Sequence, residues 1–155
     1  MLSSATQRHT DRLTHYGPRP VGSYEADVQA VTYLLDQLAA IKTSKNLVMT
    51  VDTQTVSGTF HLESYNLFQL YSGVKNVVVR LSSVRRQTES APAPAPAPAL
   101  LVNCHFDSVP QSPGASDDAV SCGVMLETIR VLSTNNRQDV LRCIVLSGFH
   151  KHKIV

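Results

Sequence analysis

The stretch "ALLVNCHFDSVPQSPGASDDAVSCGVMLETIRVLS", residues 99–133, joins a short apolar run to a helical pattern through a loop that contains proline and aspartate. The apolar residues 99–104 predict a buried β-strand. Residues 119–133 repeat apolar side chains at three- and four-residue steps, which is typical of an amphipathic helix. A strand followed by a helix is the building unit of α/β folds, so this stretch predicts an α/β domain.

The remaining patterns agree with that class. Residues 24–41 carry apolar side chains at helical spacing, and Ser23 before them is a residue type that caps helix N-termini. Residues 47–62 alternate apolar and polar side chains, and Ser57–Gly58 predicts the turn of a β-hairpin. Short apolar runs predict further buried strands at residues 76–81 and 139–148.

The composition is that of a soluble globular protein of one domain. The 155 residues are 43% hydrophobic and 17% charged, which is ordinary for this class. A net charge of +2 is too small to favour a nucleic-acid partner. Because the chain has no long apolar run and begins without an apolar signal segment, we expect neither a transmembrane span nor a signal peptide in it.

The three cysteines do not form a recognisable framework. Their number is odd, and Cys104, Cys122 and Cys143 lack the close spacing of a metal-binding pair. Each lies in an apolar stretch, so we expect buried free thiols.

Composition also divides the chain into segments. We expect a flexible N-terminus at residues 1–15, a domain at 16–148 and a charged tail at 149–155. The alternating alanine and proline of the insert at 87–99 cannot join a strand ladder, which predicts a loop or a stiff spacer. A recognition segment for proline-binding domains is the alternative for this insert.

A cluster of ionisable residues follows the strand at 99–104. His105 lies at the strand's C-terminal end, where open α/β sheets bind ligands, and alternation places Asp107 on the same side. The loop returns the chain to this edge at Asp117 and Asp118. Imidazole and carboxylate groups are typical zinc ligands, so the four residues predict a metal site. A histidine buried for packing and two helix-capping aspartates are the structural alternative.

Residues 105–133 closely resemble the co-catalytic zinc exopeptidase family (metallopeptidase family 28, clan MH), and "GPRPVGSYEADVQAVTYLLDQL" and "NVVVRL" resemble its endoplasmic reticulum metallopeptidase branch. The resemblance implies a three-layer sandwich, a mixed sheet flanked by helices, with only the N-terminal half of the domain present. It implies that His105 binds one zinc ion and Asp117 bridges two, while Asp107 orients His105 by accepting its hydrogen bond. In that family the peptide that corresponds to Asp117–Asp118 is cis.

The function implied by the resemblance is zinc-dependent peptide-bond hydrolysis of the aminopeptidase type, with two zinc ions as cofactors and a peptide or protein as substrate. Full-length members of this branch lie in the endoplasmic reticulum membrane. The family carries two adjacent glutamates, a general base and a zinc ligand, where this chain has Phe149, His150 and Lys151.

We therefore expect a truncated, catalytically incomplete form of the enzyme. His150 and His152 could serve as makeshift ligands, but the neighbouring lysines favour a solvated tail. The alternative function is that of a non-catalytic binding fragment, which could pair with the full-length protein.

Overall fold

Two helices pack on one four-stranded sheet, and a third packs on one of these helices, in the computed structural model, which describes residues 3–63, 66–84, 100–134 and 144–148. The helices are α1 (Ser4–His15), α2 (Val31–Ala39) and α3 (Val120–Thr134), and the π-helical turns Glu25–Ala30 and Ala115–Ala119 lead into α2 and α3. The strands are β1 (Leu47–Leu62), β2 (Leu67–Ser83), β3 (Leu100–Cys104) and β4 (Ile144–Gly148).

The sheet is mixed, with the strand order β1–β2–β4–β3. β2 pairs antiparallel with both β1 and β4, whereas β3 pairs parallel with β4. This sheet, with helices packed on it, confirms the predicted α/β class. None of the helices within the described ranges is long and apolar enough to cross a bilayer.

A hydrophobic cluster joins the helices to the sheet. Val77 and Val79 of β2 point to the same face because side chains alternate along a strand, and Leu34 and Leu38 of α2 pack with them. Phe106, just beyond β3, is fully buried in the same cluster. Burying a side chain of this size typically contributes about 1.5–3 kcal/mol. The cluster therefore fixes the end of β3 against the helices.

The predicted helix after Ser23 is confirmed, with a π-helical first turn. Ser23 Oγ accepts a hydrogen bond from the Ala26 N–H at 3.1 Å, which is the role expected of an N-cap. The predicted helix at 119–133 is confirmed as α3.

Residues 4–15, which we expected to be flexible, form α1. Ser3 Oγ caps the helix by accepting a hydrogen bond from the Thr6 N–H at 3.1 Å. The buried residues are Thr6, Thr10 and Leu13, and the Thr10 hydroxyl donates to the Thr6 carbonyl at 3.0 Å. Because threonine provides most of this buried face, hydrophobic periodicity does not reveal the helix.

α1 packs directly on α3 at Gly123. A Cβ added to Gly123 would lie 2.9 Å from the Thr6 carbonyl oxygen and 3.3 Å from His9 Cβ. The absence of a side chain therefore lets the two helix backbones approach closely.

The predicted hairpin turn at Ser57–Gly58 is wrong. β1 runs through this point to Leu62 and pairs with β2 from Leu67 onwards, so the connection lies at 63–66. The register shifts between Val56 and Gly58, which identifies a β-bulge. A glycine inside an alternating pattern is compatible with a turn or a bulge, and here the strands continue to pair beyond it.

The prediction of a buried strand at 99–104 is correct for the strand but not for its burial. Leu100 and Leu101 of β3 are more than half exposed, since β3 has a partner strand on one side only within the described part of the chain. The insert at 87–99 and the tail at 149–155 lie outside the described residues. The strand predicted at 139–148 is described from Ile144 onwards.

The expectation of free thiols is wrong for two of the three cysteines. Cys104 at the end of β3 and Cys122 in α3 form a disulfide, with Cα atoms 5.5 Å apart. Sequence spacing does not reveal this pair, because only the fold brings the strand end beside the first turn of the helix. Cys143 lies outside the described residues.

Candidate metal centre

The candidate site begins where β3 ends. The chain leaves the strand at Cys104, which is tied to α3 by the disulfide, and Phe106 anchors the next residues in the core. His105 and Asp107 flank this anchor. Asp107 is fully buried, whereas the His105 side chain keeps 14% of its surface exposed. The strand end therefore holds both residues on a fixed backbone and leaves the imidazole accessible.

A short loop brings the chain back to the same place. The Ser108 hydroxyl donates to the Ser112 carbonyl at 2.7 Å, and the Gly114 N–H donates to Ser112 Oγ at 3.1 Å. Gly114 has φ +58°, a left-handed conformation that favours glycine. A Cβ there would lie 2.5 Å from the Asp117 carbonyl oxygen and 2.7 Å from Ser108 Cβ. Glycine is therefore required for the loop to close on the site.

The structure brings three of the predicted site residues together. One ring nitrogen of His105, Nδ1, lies 3.3 Å from Asp107 Oδ1 and 3.2 Å from the Asp107 carbonyl oxygen. The other, Nε2, lies 3.0 Å from Asp117 Oδ1. The imidazole is thus held between a buried carboxylate and a carboxylate whose side chain is 62% exposed.

The aspartate pair leads from the loop into α3 beside His105. The peptide between Asp117 and Asp118 is cis, as the resemblance implied. Both residues have non-helical backbone angles, and Asp118 Oδ2 lies 3.4 Å from the His105 N–H that donates to it. A carboxylate oxygen of each aspartate therefore lies against His105, that of Asp117 beside Nε2 and that of Asp118 beside the backbone N–H.

The surroundings of His105 favour its protonated form in the absence of a metal. Burial lowers the pKa of His105, but the hydrogen bonds and charge of Asp107, together with the hydrogen bond to Asp117, outweigh it and raise the pKa above its ordinary value. A ring that attracts a proton between two carboxylates also suits a divalent cation.

Sequence reasoning missed Arg19, which lies beneath the site and is fully buried. Its Nε donates to the Phe106 carbonyl at 2.8 Å, and one terminal nitrogen donates to the carbonyls of Leu13 at 2.7 Å and Gly17 at 2.9 Å. Burial lowers the pKa of Arg19, and the negative charge of Asp107 opposes that shift. The order Gly-Pro-Arg-Pro indicates only an extended loop, so it gives no signal that the arginine is buried.

Tyr71 of β2 is a second neighbour that sequence reasoning missed. Burial, and then the charge of Asp107, raise the pKa of Tyr71. Its position in the middle of a long strand, far from the His-x-Asp stretch, offers no sequence signal of this proximity.

The donor set fits a borderline divalent cation such as zinc. The Nδ1 side of His105 is taken by Asp107, so Nε2 is the nitrogen left to bind a cation beside the exposed Asp117 carboxylate. Among the described residues, no group of three or more histidine, cysteine or acidic side chains converges to hold a metal. The described part of the chain therefore offers two candidate ligands, His105 and Asp117.

Comparison with known proteins places this arrangement in a family. Residues 76–149 match peptidase family M28. The chain is 43% identical over 131 residues to endoplasmic reticulum metallopeptidase 1 of Homo sapiens, a match that covers 83% of this chain and 14% of that protein. It is 37% identical over 127 residues to putative endoplasmic reticulum metallopeptidase 1-A of Caenorhabditis elegans, covering 79% and 13%. The chain thus spans about one seventh of the length of these curated relatives.

Solved structures agree on the fold. Glutaminyl cyclase of Porphyromonas gingivalis superimposes with a TM-score of 0.63 at 17% identity, covering 96% of this chain and 45% of that one. A Zn-dependent exopeptidase of Parabacteroides distasonis gives a TM-score of 0.60 at 15% identity, covering 96% and 46%. Taken with the sequence matches, these similarities lead to one assignment: the chain belongs to peptidase family M28 and is similar over most of its length to the endoplasmic reticulum metallopeptidases.

Proposed function

We propose that this chain carries one part of a two-zinc centre for the hydrolysis of peptide bonds, of the aminopeptidase type. The observation that carries the proposal is the position of the His105 ring, with Nδ1 3.3 Å from the buried Asp107 carboxylate and Nε2 3.0 Å from Asp117. A carboxylate that orients a histidine from behind is the arrangement found around metal-bound imidazoles. Membership of a metallopeptidase family supports the same function.

Each residue has a distinct role in this proposal. His105, through Nε2, and Asp117, through its largely exposed carboxylate, would hold the zinc. Asp107 keeps the proton of His105 on Nδ1, so that Nε2 stays a ligand. When bound, zinc would polarise the peptide carbonyl and activate water. The substrate is then a peptide or protein.

The site is catalytically incomplete within these 155 residues in our proposal. Catalytic zinc typically has about three protein ligands, and the chain contains no glutamate after Glu127 and no aspartate after Asp139. We infer that a general base and the remaining ligands come from residues outside this sequence. Loss of general-base catalysis alone costs roughly 10²–10⁴ in rate, so we expect no measurable hydrolysis by the isolated chain.

We also propose the endoplasmic reticulum as the location, because the relatives similar over most of this chain are named for that compartment. The disulfide between Cys104 and Cys122 supports an oxidising environment such as the lumen.

Zinc binding tests the proposed site directly. In a calorimetric zinc titration of the 155-residue chain at pH 7.5, His105→Ala should weaken binding at least tenfold. His61→Ala is a matched control, because His61 is an exposed histidine of β1 that stacks on Phe68 at 4.3 Å. Equal zinc affinities for the wild type and His105→Ala would contradict the proposal.

A second experiment tests catalytic incompleteness. The chain loaded with zinc is incubated with aminoacyl and peptidyl fluorogenic substrates, and we expect a rate equal to that of His105→Ala. A rate that depends on both zinc and His105 would show that these residues suffice for hydrolysis, and would refute the inference that further ligands are needed.

A further inference from the structure

We propose that Arg19 is a positioning residue of the metal centre: its buried guanidinium and backbone hold residues 106–108 so that Asp107 can orient His105. The proposal rests on the proposed function and adds a residue that lies 86 positions before His105 in the sequence. The proposal follows from the hydrogen bonds that Arg19 makes to the residues before and after Asp107.

Arg19 is connected to the site segment at two points. Its Nε donates to the Phe106 carbonyl at 2.8 Å, and its backbone N–H donates to Ser108 Oγ at 2.9 Å. The Ser108 N–H in turn donates to the Arg19 carbonyl at 2.9 Å. Residues 106 and 108 flank Asp107, so the backbone on each side of that carboxylate is held by Arg19.

The other contacts of Arg19 join this segment to the first helix. One terminal nitrogen donates to the carbonyls of Leu13, in the last turn of α1, and of Gly17. Proline at position 20 restricts Arg19 to extended backbone angles, which suits the paired hydrogen bonds to Ser108. The end of α1 and the end of β3 are thereby fixed to each other through one side chain.

Lysine cannot replace these contacts. The guanidinium presents several N–H donors in a fixed planar fork, whereas an ammonium group is a single point at the end of a flexible chain. The Nε bond to Phe106 has no counterpart in lysine. Arg19→Lys therefore keeps the positive charge near Asp107 but removes the planar set of hydrogen-bond donors. The variant thereby separates the effect of the charge from the effect of the hydrogen bonds.

Stability of the fold alone does not account for a buried arginine. A buried ion pair that is replaced as a whole by apolar residues of similar volume often causes no loss of stability, because desolvation of the charges costs as much as their interactions return. Positioning does account for it, since metal ligands must be held within about 0.5 Å of their working geometry by the residues behind them.

The test compares zinc affinities of the 155-residue chain by calorimetry, under conditions where circular dichroism shows each variant to be folded. We expect Arg19→Lys to bind zinc at least tenfold more weakly than wild type, the size of effect typical for residues behind metal ligands. Arg80→Lys, at an exposed arginine of β2, should stay within twofold. Leu81→Ala, which destabilises the separate hydrophobic cluster that Leu81 forms with Leu47, should also stay within twofold.

A second readout needs no metal. Long-range ¹H–¹⁵N spectra of the His105 ring, recorded at a pH high enough for the ring to be neutral, report which nitrogen carries the proton. Wild type should show the Nδ1–H tautomer, and Arg19→Lys a mixture. If His105→Ala binds zinc like wild type, the proposed function fails, and the tautomer comparison still decides the role of Arg19. If Arg19→Lys matches wild type in zinc affinity and tautomer, the role of Arg19 is refuted.

If Arg19→Lys fails to fold, Ser108→Ala tests the role of Arg19 instead. This variant removes the acceptor of the Arg19 N–H, together with the hydroxyl that donates to the Ser112 carbonyl, and leaves the guanidinium bonds in place. Ser112→Ala, which removes only the acceptor of the Gly114 N–H in the same loop, is the control for loop effects. For Ser108→Ala we expect a loss of zinc affinity of threefold or more, with partial scrambling of the tautomer. Wild-type values for both measurements would overturn the proposal.

Discussion

Two clusters in this molecule each combine an arginine, a histidine and a carboxylate, and only one of them has the properties expected of a site. The buried cluster consists of Arg19, His105 and Asp107, and the surface cluster of His9, Glu127 and Arg130. In each, a histidine nitrogen lies 3.3 Å from a carboxylate oxygen. The two clusters therefore have the same functional groups and the same distance between histidine nitrogen and carboxylate oxygen.

Burial and the second ring nitrogen distinguish them. Asp107 and Arg19 are fully buried, whereas the Arg130 side chain is 53% exposed. The second nitrogen of His105 faces the carboxylate of Asp117, but that of His9 lies 2.7 Å from the Tyr33 hydroxyl. Of the two clusters, only the buried one places its second imidazole nitrogen beside the carboxylate of a further candidate ligand, Asp117. A site is thus defined by what surrounds such a triad rather than by its members.

The largest effect on the free energy of unfolding should come from replacing the carboxylate of the buried cluster by an amide of the same shape, with the same replacement in the surface cluster as the comparison. We expect Asp107→Asn to lower the free energy of unfolding by roughly 3–5 kcal/mol, because it leaves the Arg19 guanidinium buried without its compensating charge. Glu127→Gln should cost several-fold less, since water screens the exposed Arg130. Urea denaturation at pH 7 measures both values, and equal losses would abolish the distinction between the clusters.

The disulfide beside the buried cluster should have the next largest effect. Cys104→Ala with Cys122→Ala opens a loop of 18 residues that contains His105 and Asp117, and we expect a loss of about 3 kcal/mol. Thiol titration in denaturant should find one free thiol per chain before reduction and three after it. Hydrogen exchange should then rise at 105–119 and stay unchanged around His9. Three free thiols before reduction would contradict the cross-link.

A substitution in the loop next to the buried cluster should have the third largest effect on stability. Gly114→Ala should cost about 2–3 kcal/mol, because alanine must adopt a left-handed conformation and its Cβ would meet Asp117 and Ser108. Gly22→Ala is the matched control, since Gly22 has φ +85° with no atom within 4 Å of an added Cβ. It should cost only about 1 kcal/mol. Equal losses, measured by denaturation, would show that the close contacts at Gly114 are unimportant.

The sequence predicts the parts of the fold that rest on apolar periodicity. α2 and α3 follow from it, because apolar residues such as Leu34 and Leu38 of α2 and Ile129 of α3 are buried at helical spacing. The strand before His105 follows from its apolar run, although only its last residue, Cys104, is buried. α1 does not, since Thr6 and Thr10 form its buried face and hydrogen-bond within the helix. The bulge at Gly58 is equally invisible, because a glycine in an alternating pattern fits a turn as well as a bulge.

The sequence predicts the site residues that lie close to one another along the chain. His105, Asp107 and Asp117 lie within one stretch, and the strand–loop–helix pattern suffices to bring them to one edge. Arg19 and Tyr71 reach the site from other parts of the chain, so only the three-dimensional structure reveals them. The disulfide is missed for the same reason, because its two cysteines become neighbours only after β3 and α3 have packed together.

The smallest effect is the contribution of Glu127, in the surface cluster, to the pH dependence of the free energy of unfolding. The hydrogen bond from Arg130 lowers the pKa of Glu127; burial opposes that shift, and His9 adds to it. A carboxyl with a depressed pKa stabilises the folded state above its ordinary range and loses this contribution as the pH falls through the folded value. The stability difference between wild type and Glu127→Gln should therefore be constant near neutral pH and shrink below about pH 4.5.

Urea denaturation at pH 7 and pH 3 measures that change. Arg130→Gln should reduce the change in stability between pH 7 and pH 3, because this substitution removes the strongest partner of Glu127. Adding Glu127→Gln to Arg130→Gln should cause little further change. A difference that grows at low pH would mean that Glu127 is held in its neutral form instead. The two clusters would then differ in the state of their carboxylates as well as in their burial.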